Sequence, residues 1–176
     1  KVSELAKPEN AKVIRAAAKE IAANPHVKTV LTPLDTLDFS ANLLSRTPED
    51  PTNDKAWDPV KSIAATAINE ATEAEEPGSP GAKARADDFA KTTKRLAPFL
   101  ASTAKDRTLD NPKWVDVLLY DNEGNIRKPL RSSFFNDTHA QMIVRLQGNA
   151  SIEGEGAGAV AVKEAWADRK LDGAKI

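Results

Sequence analysis

The last third of the chain changes its hydrophobic period abruptly, and this change restricts the fold more than any other feature. Over residues 139–147 the apolar residues fall on alternate positions, with Ile143 as the exception. Such alternation is typical of a strand with one buried face. Further on, apolar residues recur from Ala159 to Trp166 at intervals that place them on one side of a helix. The segment therefore predicts a strand over 139–147, a Gly-rich connection and a helix over 156–169.

The two ends of the chain carry further signals. Gly173 can adopt the left-handed conformation with which helices commonly end. Ala174 would then begin a new strand, which the last residue leaves short. The chain begins at Lys1 without a methionine. We therefore expect a segment taken from inside a longer protein.

The first part of the chain predicts a complementary pair of elements. Pro8 suits the first position of a helix, because the N–H that it lacks would have no partner there. Apolar residues at helical spacing carry this helix to about Ala23, and Asn24 and Pro25 end it. A β-branched-rich strand is predicted over 27–34. We expect both elements to pack with those of the C-terminal third as one α/β layer.

The middle of the chain predicts a helical hairpin and then a β-hairpin. Asp58 is a suitable N-cap ahead of Pro59, and helical spacing continues through most of 58–105. The link at 76–82 is rich in Pro and Gly and has no apolar side chain to hold it, so we expect proteolysis to begin there. The run at 114–135 indicates a strand, a turn and a return strand.

Composition narrows the class of protein. The 176 residues contain 25 Lys and Arg against 26 Asp and Glu, a net charge of −1, so no basic excess points to nucleic acid. No apolar run approaches the roughly 18 residues of a membrane span. Cysteine is absent, which removes disulfides, thiolate nucleophiles and cysteine-ligated metals from consideration.

One motif has the form of a dinucleotide fingerprint. The stretch from Gly154 to Ala159 reads G-x-G-x-x-A between a predicted strand and a predicted helix. A pyrophosphate site also needs a tight turn there, so that N–H groups at the helix N-terminus meet the phosphates. Here the connection is long, and Glu153 and Glu155 would repel an anion. A flexible Gly-rich connection is the better interpretation, and we predict no cofactor.

Other candidates for chemistry are sparse. His26 and His139 are the only histidines, and they have no metal-binding spacing. Asp35 and Asp38 follow a predicted strand, as catalytic carboxylates often do, but no nucleophile and base accompany them. We therefore predict no catalytic residue and no metal site.

An adjacent pair of aromatic residues is the one hint of an apolar contact at the surface. Phe134 and Phe135 lie in a predicted strand, so one of the two rings must point away from the core. We interpret the pair as a candidate contact for an amphiphile or for another domain.

Two blocks of the sequence resemble the porter domains of the resistance-nodulation-division (RND) transporters, and most closely the MMPL branch of that superfamily. The first block is the helix-to-strand junction at 22–34, with a Pro-x-Val-x-x-Val core from Pro25 to Val30. The second begins at Asp137 and leads through a helix to the turn at 171–173. The resemblance implies an α+β fold, a ferredoxin-like βαββαβ unit with the helical hairpin and the β-hairpin inserted. Its first strand has no strong candidate in this sequence.

The resemblance also implies a domain division and a function. Residues 1–34 would form the first half of the porter unit, 35–112 a mainly helical insertion, and 113–176 the β-hairpin and the second half, all within one domain. The implied role is non-enzymatic: an extracytoplasmic domain of a membrane exporter that moves lipids or other hydrophobic or amphiphilic molecules. Its implied partners are a second porter domain, the transmembrane helices of the parent protein and the cargo, and no nucleic acid. The alternative is a stand-alone extracytoplasmic α+β module that binds a protein and transports nothing, and a small-molecule enzyme comes third.

Overall fold

Helices account for most of the residues that the structure describes, which are 1–44, 58–72, 78–100, 106–148 and 151–176 of a computed structural model. The helices in these ranges are α1 (Pro8–Ala22), α2 (Pro33–Leu44), α3 (Pro59–Thr72), α4 (Pro80–Leu100), α5 (Pro112–Leu119) and α6 (Ile152–Ala167). The strands are β1 (Val27–Leu31), β2 (Phe134–Asn136), β3 (His139–Ala140) and β4 (Ile143–Leu146). Short 3₁₀ helices occupy Val2–Ala6 and Lys128–Leu130. The fold is α+β, as predicted.

The chain divides into two units. Unit 1 comprises Lys1–Asp38 and Ile126–Ile176, so it is assembled from two separate stretches of sequence. Unit 2 comprises Phe39–Asn125 and is continuous. All four strands belong to unit 1, together with α1 and α6, whereas α3, α4 and α5 belong to unit 2.

A two-stranded antiparallel sheet forms the centre of unit 1. Strands β1 and β4 pair with each other, and α1 and α6 pack together against this pair. Ile21 from α1, Val27 from β1 and Ala165 from α6 meet in one buried cluster. The expectation that residues 8–34 and 137–176 form one α/β layer is therefore confirmed.

Strand β1 contains a β-bulge, and it supplies the neighbour of Ile143, the one break in the alternation of β4. The register of β1 against β4 shifts between Val27 and Thr29, and a bulge allows Val27 and Val30 to face the same core although they are three residues apart. Further along, Leu31 lies opposite Ile143, and both side chains are partly exposed. Ile143 therefore faces away from the helices, with an apolar cross-strand neighbour of its own.

The strand predicted over 139–147 is interrupted. Its first residues form β3, which pairs with β2 in a small separate sheet, and its last residues form β4. Between them the backbone N–H of Gln141 donates to the carbonyl of Ser133, and the Gln141 side chain donates to the carbonyl of Ser132. These bonds hold the chain to the β2 side before it turns into β4.

Helix α6 begins earlier than predicted. Its N-cap is Ser151, whose hydroxyl accepts a hydrogen bond from the N–H of Gly154, so the Gly-rich segment is the first half of the helix rather than a connection. Gly158 lies over β4, where an added Cβ would come within 2.5 Å of a Leu146 methyl group. The interpretation of a flexible connection was wrong, because a good N-cap and close helix–strand packing outweigh the low helix propensity of glycine.

The turn after α6 is only partly as predicted. Gly173 has a φ of +67°, the left-handed conformation that the sequence indicates. However, α6 already ends at Ala167, and the residues after the turn make a single bridge, from Ala174 to Leu171. The predicted strand from Ala174 is therefore absent from the structure.

Unit 2 contains the predicted helical hairpin. Helices α3 and α4 pack against each other, and Asp58 caps α3 by accepting hydrogen bonds from the N–H groups of Val60 and Lys61. Pro98 lies inside α4. Of the predicted link at 76–82, residues 76 and 77 lie outside the described residues.

The β-hairpin predicted over 114–135 was wrong. The run that was interpreted as its first strand is α5, which begins with Asn111 as N-cap and Pro112 in the first position. Five of its eight residues are buried, and a short apolar run of this kind has no periodicity that separates a buried helix from a strand. The sequence signal that indicates a helix here is Asn111 as N-cap followed by Pro112. The predicted return strand is replaced by the 3₁₀ helix at Lys128–Leu130 and by β2.

Candidate functional site

A hollow lies in the surface of unit 1. It has a volume of about 650 Å³ and is bounded by the N-terminal 3₁₀ helix, α1, the β3 region, α6 and the C-terminal turn. We call it the apolar hollow. Its apolar lining comes mainly from Val2, Leu5, Ile14, Met142, Trp166 and Leu171.

The lining side chains also pack against the core of the unit. Leu5, Met142, Trp166 and Leu171 are only partly buried and pack against the buried cluster of Ala11, Ile14 and Leu34. Their remaining surface is available to a ligand. The volume and the predominantly apolar lining match those of pockets that take small apolar molecules.

A buried asparagine holds one wall of the hollow in place. The Asn10 side chain, 1% exposed, donates to the carbonyls of Glu4 and Asp172, both at 2.9 Å. Its Oδ1 accepts from the N–H of Asp172 at 2.7 Å. These bonds tie the N-terminal 3₁₀ helix and the C-terminal turn to α1, so the wall depends on them.

Ion pairs outside the hollow support the same wall. Lys7 pairs with Glu4 and lies 3.6 Å from a carboxylate oxygen of Asp172. The hydrogen bond between Lys7 and Glu4 lowers the pKa of Glu4 and raises the pKa of Lys7. Both side chains are only partly buried and in contact with solvent, so the pair contributes to orientation more than to stability.

The two predicted contact residues differ in exposure. Phe134 is completely buried in unit 1, whereas 59% of the surface of Phe135 is exposed. The pair thus splits between core and surface as strand alternation requires. Neither residue lines the apolar hollow, and a contact of Phe135 with an amphiphile or another domain stays a prediction.

The segment that resembles a dinucleotide fingerprint has no phosphate-binding geometry. Gly154, Gly156 and Gly158 lie within α6 rather than in a tight turn before it. Two acidic residues, Glu153 and Glu155, occupy the first turn, where a phosphate would have to approach. The pKa of Glu153 is lowered by hydrogen bonds from its own N–H and from Ser151, which favours the repelling charged form.

The remaining sequence candidates serve local structure. Asp35 accepts hydrogen bonds from the N–H and the hydroxyl of Thr32, and so fixes the start of α2. Asp38 pairs with Arg15 at 2.7 Å on the surface. His139 hydrogen-bonds to Thr138 within the β2–β3 turn, and the backbone N–H of His26 donates to Asn24. Within the described ranges these residues do not converge on one site.

Unit 2 contains a buried ion pair that sequence reasoning missed. The Arg107 guanidinium, 1% exposed, makes two hydrogen bonds of 3.1 Å to the Asp58 carboxylate and a third to the carbonyl of Phe99. Burial tends to raise the pKa of Asp58, but the hydrogen bonds from Arg107, Val60 and Lys61 outweigh it and hold that pKa below its usual value. Arg107 thus links the start of α3, through Asp58, to the end of α4, through the carbonyl of Phe99.

A second arginine fixes the end of α5. Arg95 donates to the carbonyls of Asp116, Tyr120 and Asp121 at 2.6–2.9 Å. Burial lowers the pKa of this guanidinium. The bonds tie the end of α5 and the two residues that follow it to α4, so the role of Arg95 is structural.

Two further observations concern the described part of the chain as a whole. Within it, no group of three or more His, Asp or Glu side chains is arranged to hold a metal ion. None of the helices described there combines the length and the apolarity needed to cross a membrane.

Comparison with known proteins adds no assignment. No family model, no curated protein and no solved structure matches the chain. The functional interpretation therefore depends on the apolar hollow and on the sequence itself.

Proposed function

We propose that the chain is an extracytoplasmic porter domain of an RND-type exporter of the MMPL branch, and that unit 1 contacts hydrophobic or amphiphilic cargo. The observation that carries this proposal is the apolar hollow, which offers an alkyl chain a wall of aliphatic and aromatic surface. The two blocks that resemble the family border this hollow or pack beneath it. No step of the proposed role is enzymatic.

We further propose that unit 1 is built on part of a ferredoxin-like βαββαβ unit. In the order of the chain, α1 precedes β1 and α6 follows β4, and β1 and β4 are antiparallel neighbours. These four elements would be the first helix, the second and third strands and the second helix. The first and last strands have no counterpart among the described residues, since 2–6 form a 3₁₀ helix and 174–176 form no strand.

The openness of the hollow sets an expectation for affinity. Each methylene group that leaves water contributes about 0.8 kcal/mol, but only where protein surface covers it. A chain bound in a one-sided hollow stays partly hydrated, so binding by this domain alone should be weak. In the proposed setting, on the outer side of the cell membrane, a second porter domain of the parent protein would cover the exposed side.

Binding of a neutral amphiphile to the purified chain tests the proposal. We expect a dodecyl maltoside, held below its critical micelle concentration, to bind weakly but saturably in isothermal titration calorimetry. Ala140→Trp should reduce binding, because the larger ring fills the hollow without removing a core side chain. Ala16→Trp is the matched control on an exposed position of α1 that does not line the hollow.

Other outcomes would contradict the proposal. Equal binding by Ala140→Trp and Ala16→Trp would place the amphiphile elsewhere. Saturable binding of NAD or ATP that Gly156→Val abolishes would favour an enzyme. The parent reading frame gives a separate test, because an exporter predicts flanking apolar segments of about 20 residues. A signal peptide without such segments would favour the stand-alone interaction module.

A further inference from the structure

A second hollow adjoins the apolar hollow and differs from it in charge. It has a volume of about 630 Å³ and lies along the last turn of α6 and the residues that follow. We call it the cationic hollow. The two share part of their lining, namely Trp166, Leu171, Ala174, Lys175 and Ile176. Trp166 thus stands between them as a common wall.

Four of the ten residues that line the cationic hollow are positively charged. Lys163, Lys170 and Lys175 line it and are exposed. Arg169 lines it as well and is partly buried, and none of the described residues in the lining has an acidic side chain. Arg169 is already engaged, since it donates to Glu20 at 2.7 Å and to the carbonyl of Ala165. The three lysines are the charges that a ligand would meet.

The nearest acidic groups do not cancel this charge. Asp172 lies 3.6 Å from Lys7 and faces the ion pair described above, and Glu20 is engaged by Arg169. Glu164 and Asp168 belong to the same stretch of chain but line neither hollow. A predominantly apolar space and a locally cationic space therefore share one wall on the surface of unit 1.

We propose that the joined hollows bind a single-chain amphiphile with an anionic headgroup. The alkyl chain occupies the apolar hollow against Met142 and Trp166, and the headgroup meets the ammonium groups of Lys163, Lys170 and Lys175. This inference rests on the proposed function and narrows its cargo to anionic amphiphiles. Charge-assisted hydrogen bonds from lysine favour phosphate or carboxylate oxygens over a zwitterionic group of similar size.

A pair of lysolipids with the same acyl chain isolates the contribution of charge. We expect lysophosphatidylglycerol to bind at least about tenfold more tightly than lysophosphatidylcholine in calorimetric titrations below their critical micelle concentrations, at low salt. High salt should weaken the binding of the anionic lipid and leave the zwitterionic one nearly unchanged, since exposed charges are screened. This comparison needs no substitution.

Substitutions then locate the headgroup. The double variant Lys170→Gln with Lys175→Gln should lower the affinity for lysophosphatidylglycerol to that for lysophosphatidylcholine. Lys12→Gln with Lys28→Gln is the matched control, because both residues are exposed lysines of unit 1 that line neither hollow. Circular dichroism should show both variants folded, as the four side chains lie at the surface. Glycerol phosphate, a headgroup without a chain, should not bind measurably.

Each contrary result has a distinct meaning. Equal affinities for the two lysolipids would overturn the anionic preference and leave the proposed function standing. Binding of neither lysolipid, nor of the neutral maltoside, would overturn the proposed function itself. Glycerol phosphate binding as tightly as the anionic lysolipid would make the cationic hollow a site for free anions. A loss of affinity in the control variant equal to that in the Lys170 and Lys175 variant would remove the headgroup from the cationic hollow.

Discussion

Units 1 and 2 are stabilised in different ways. Unit 1 brings together two distant stretches of sequence, and its centre is a cluster of aliphatic side chains between two helices and a two-stranded sheet. Unit 2 is continuous, its interior contains a buried ion pair, and a half-buried arginine binds the end of a helix. An apolar core tolerates substitutions that conserve its volume, whereas a buried charge strongly destabilises the fold when its partner is removed. Unit 2 has the simpler chain path, but its stability depends more strictly on individual polar contacts.

Apolar packing is present in unit 2 as well, beside its polar contacts. Phe99 and Trp114 are buried with their ring centroids 4.9 Å apart, and α5 is buried along most of its length. Arg107 donates to the carbonyl of Phe99, so the polar and the aromatic contacts meet at one residue. A defect in the ion pair should consequently disturb the packing around it.

The largest loss of stability should come from removing one partner of the buried ion pair between Arg107 and Asp58. Arg107→Met leaves the Asp58 carboxylate buried without its counter-ion, and such losses typically lower the free energy of unfolding by about 3–5 kcal/mol. Hydrogen exchange resolved by unit should show the loss in unit 2. Arg15→Met, which breaks the exposed pair with Asp38, should cost less than about 1 kcal/mol. Similar costs for both variants would refute the contrast between the units.

A smaller effect is expected in unit 1 from its own buried polar group. Asn10→Ala deprives the N–H of Asp172 and two carbonyls of their partner, which should cost about 1–3 kcal/mol. It should also weaken amphiphile binding, since these bonds hold a wall of the apolar hollow. Denaturant titration and calorimetry would measure the two effects. Glu9→Ala, at the preceding exposed position, should change neither quantity appreciably.

Acid should affect unit 2 through Asp58. Its pKa in the folded protein is lower than in the unfolded chain, so the folded state holds this proton less tightly. The stabilisation is therefore complete above the ordinary aspartate pKa of about 3.9 and is lost as the pH falls through the lower, folded-state pKa. The loss should be smaller than in Arg107→Met, because a protonated carboxyl still accepts hydrogen bonds. Asp58→Asn should be less stable at neutral pH and should lack this part of the acid dependence in pH-resolved hydrogen exchange.

The smallest expected effect is a difference in stability between alanine substitutions at two glycines of α6. Gly156 has open space where a Cβ would lie, so Gly156→Ala should stabilise unit 1 by about 0.5–1 kcal/mol through helix propensity. Gly158→Ala should show no net gain, because its Cβ would displace the Leu146 side chain. Thermal unfolding of the two variants measures the difference. Equal gains would mean that α6 does not pack closely on β4.

The sequence predicted those parts of the fold that have local signals. Pro8, the Asn24-Pro25 end and the Asp58 cap each act through neighbouring backbone groups, and the corresponding helices are present. The alternation after His139 predicted the buried face of β4 for the same reason. Helix α5 was missed because a run that is buried on most sides has no polar face to reveal its period.

The polar contacts could not be predicted in the same way. Arg107 bonds to Asp58, and Asn10 bonds to Asp172, across long stretches of chain. In the sequence Arg107 and Asn10 are two polar residues among many. Their partners become identifiable only when the folded backbone brings them close together. The cationic hollow could not be predicted for the same reason. Its lining includes Lys163, Lys170 and Lys175, which lie in a stretch that also contains three acidic residues. Only the folded structure places the lysines in the hollow and the acidic side chains outside it.

The interrupted path of unit 1 has a consequence for how the protein is made. A ribosome releases every residue of unit 2 before any residue of Ile126–Ile176, so unit 2 can fold during synthesis while β1 still lacks β4. Until then the backbone groups of β1 and the apolar face of α1 are open to other chains. Fast folding of unit 2 would shorten the effective loop that β4 must close to reach β1. The nascent chain is therefore most vulnerable to aggregation between the completion of unit 2 and the emergence of Ile143–Leu146.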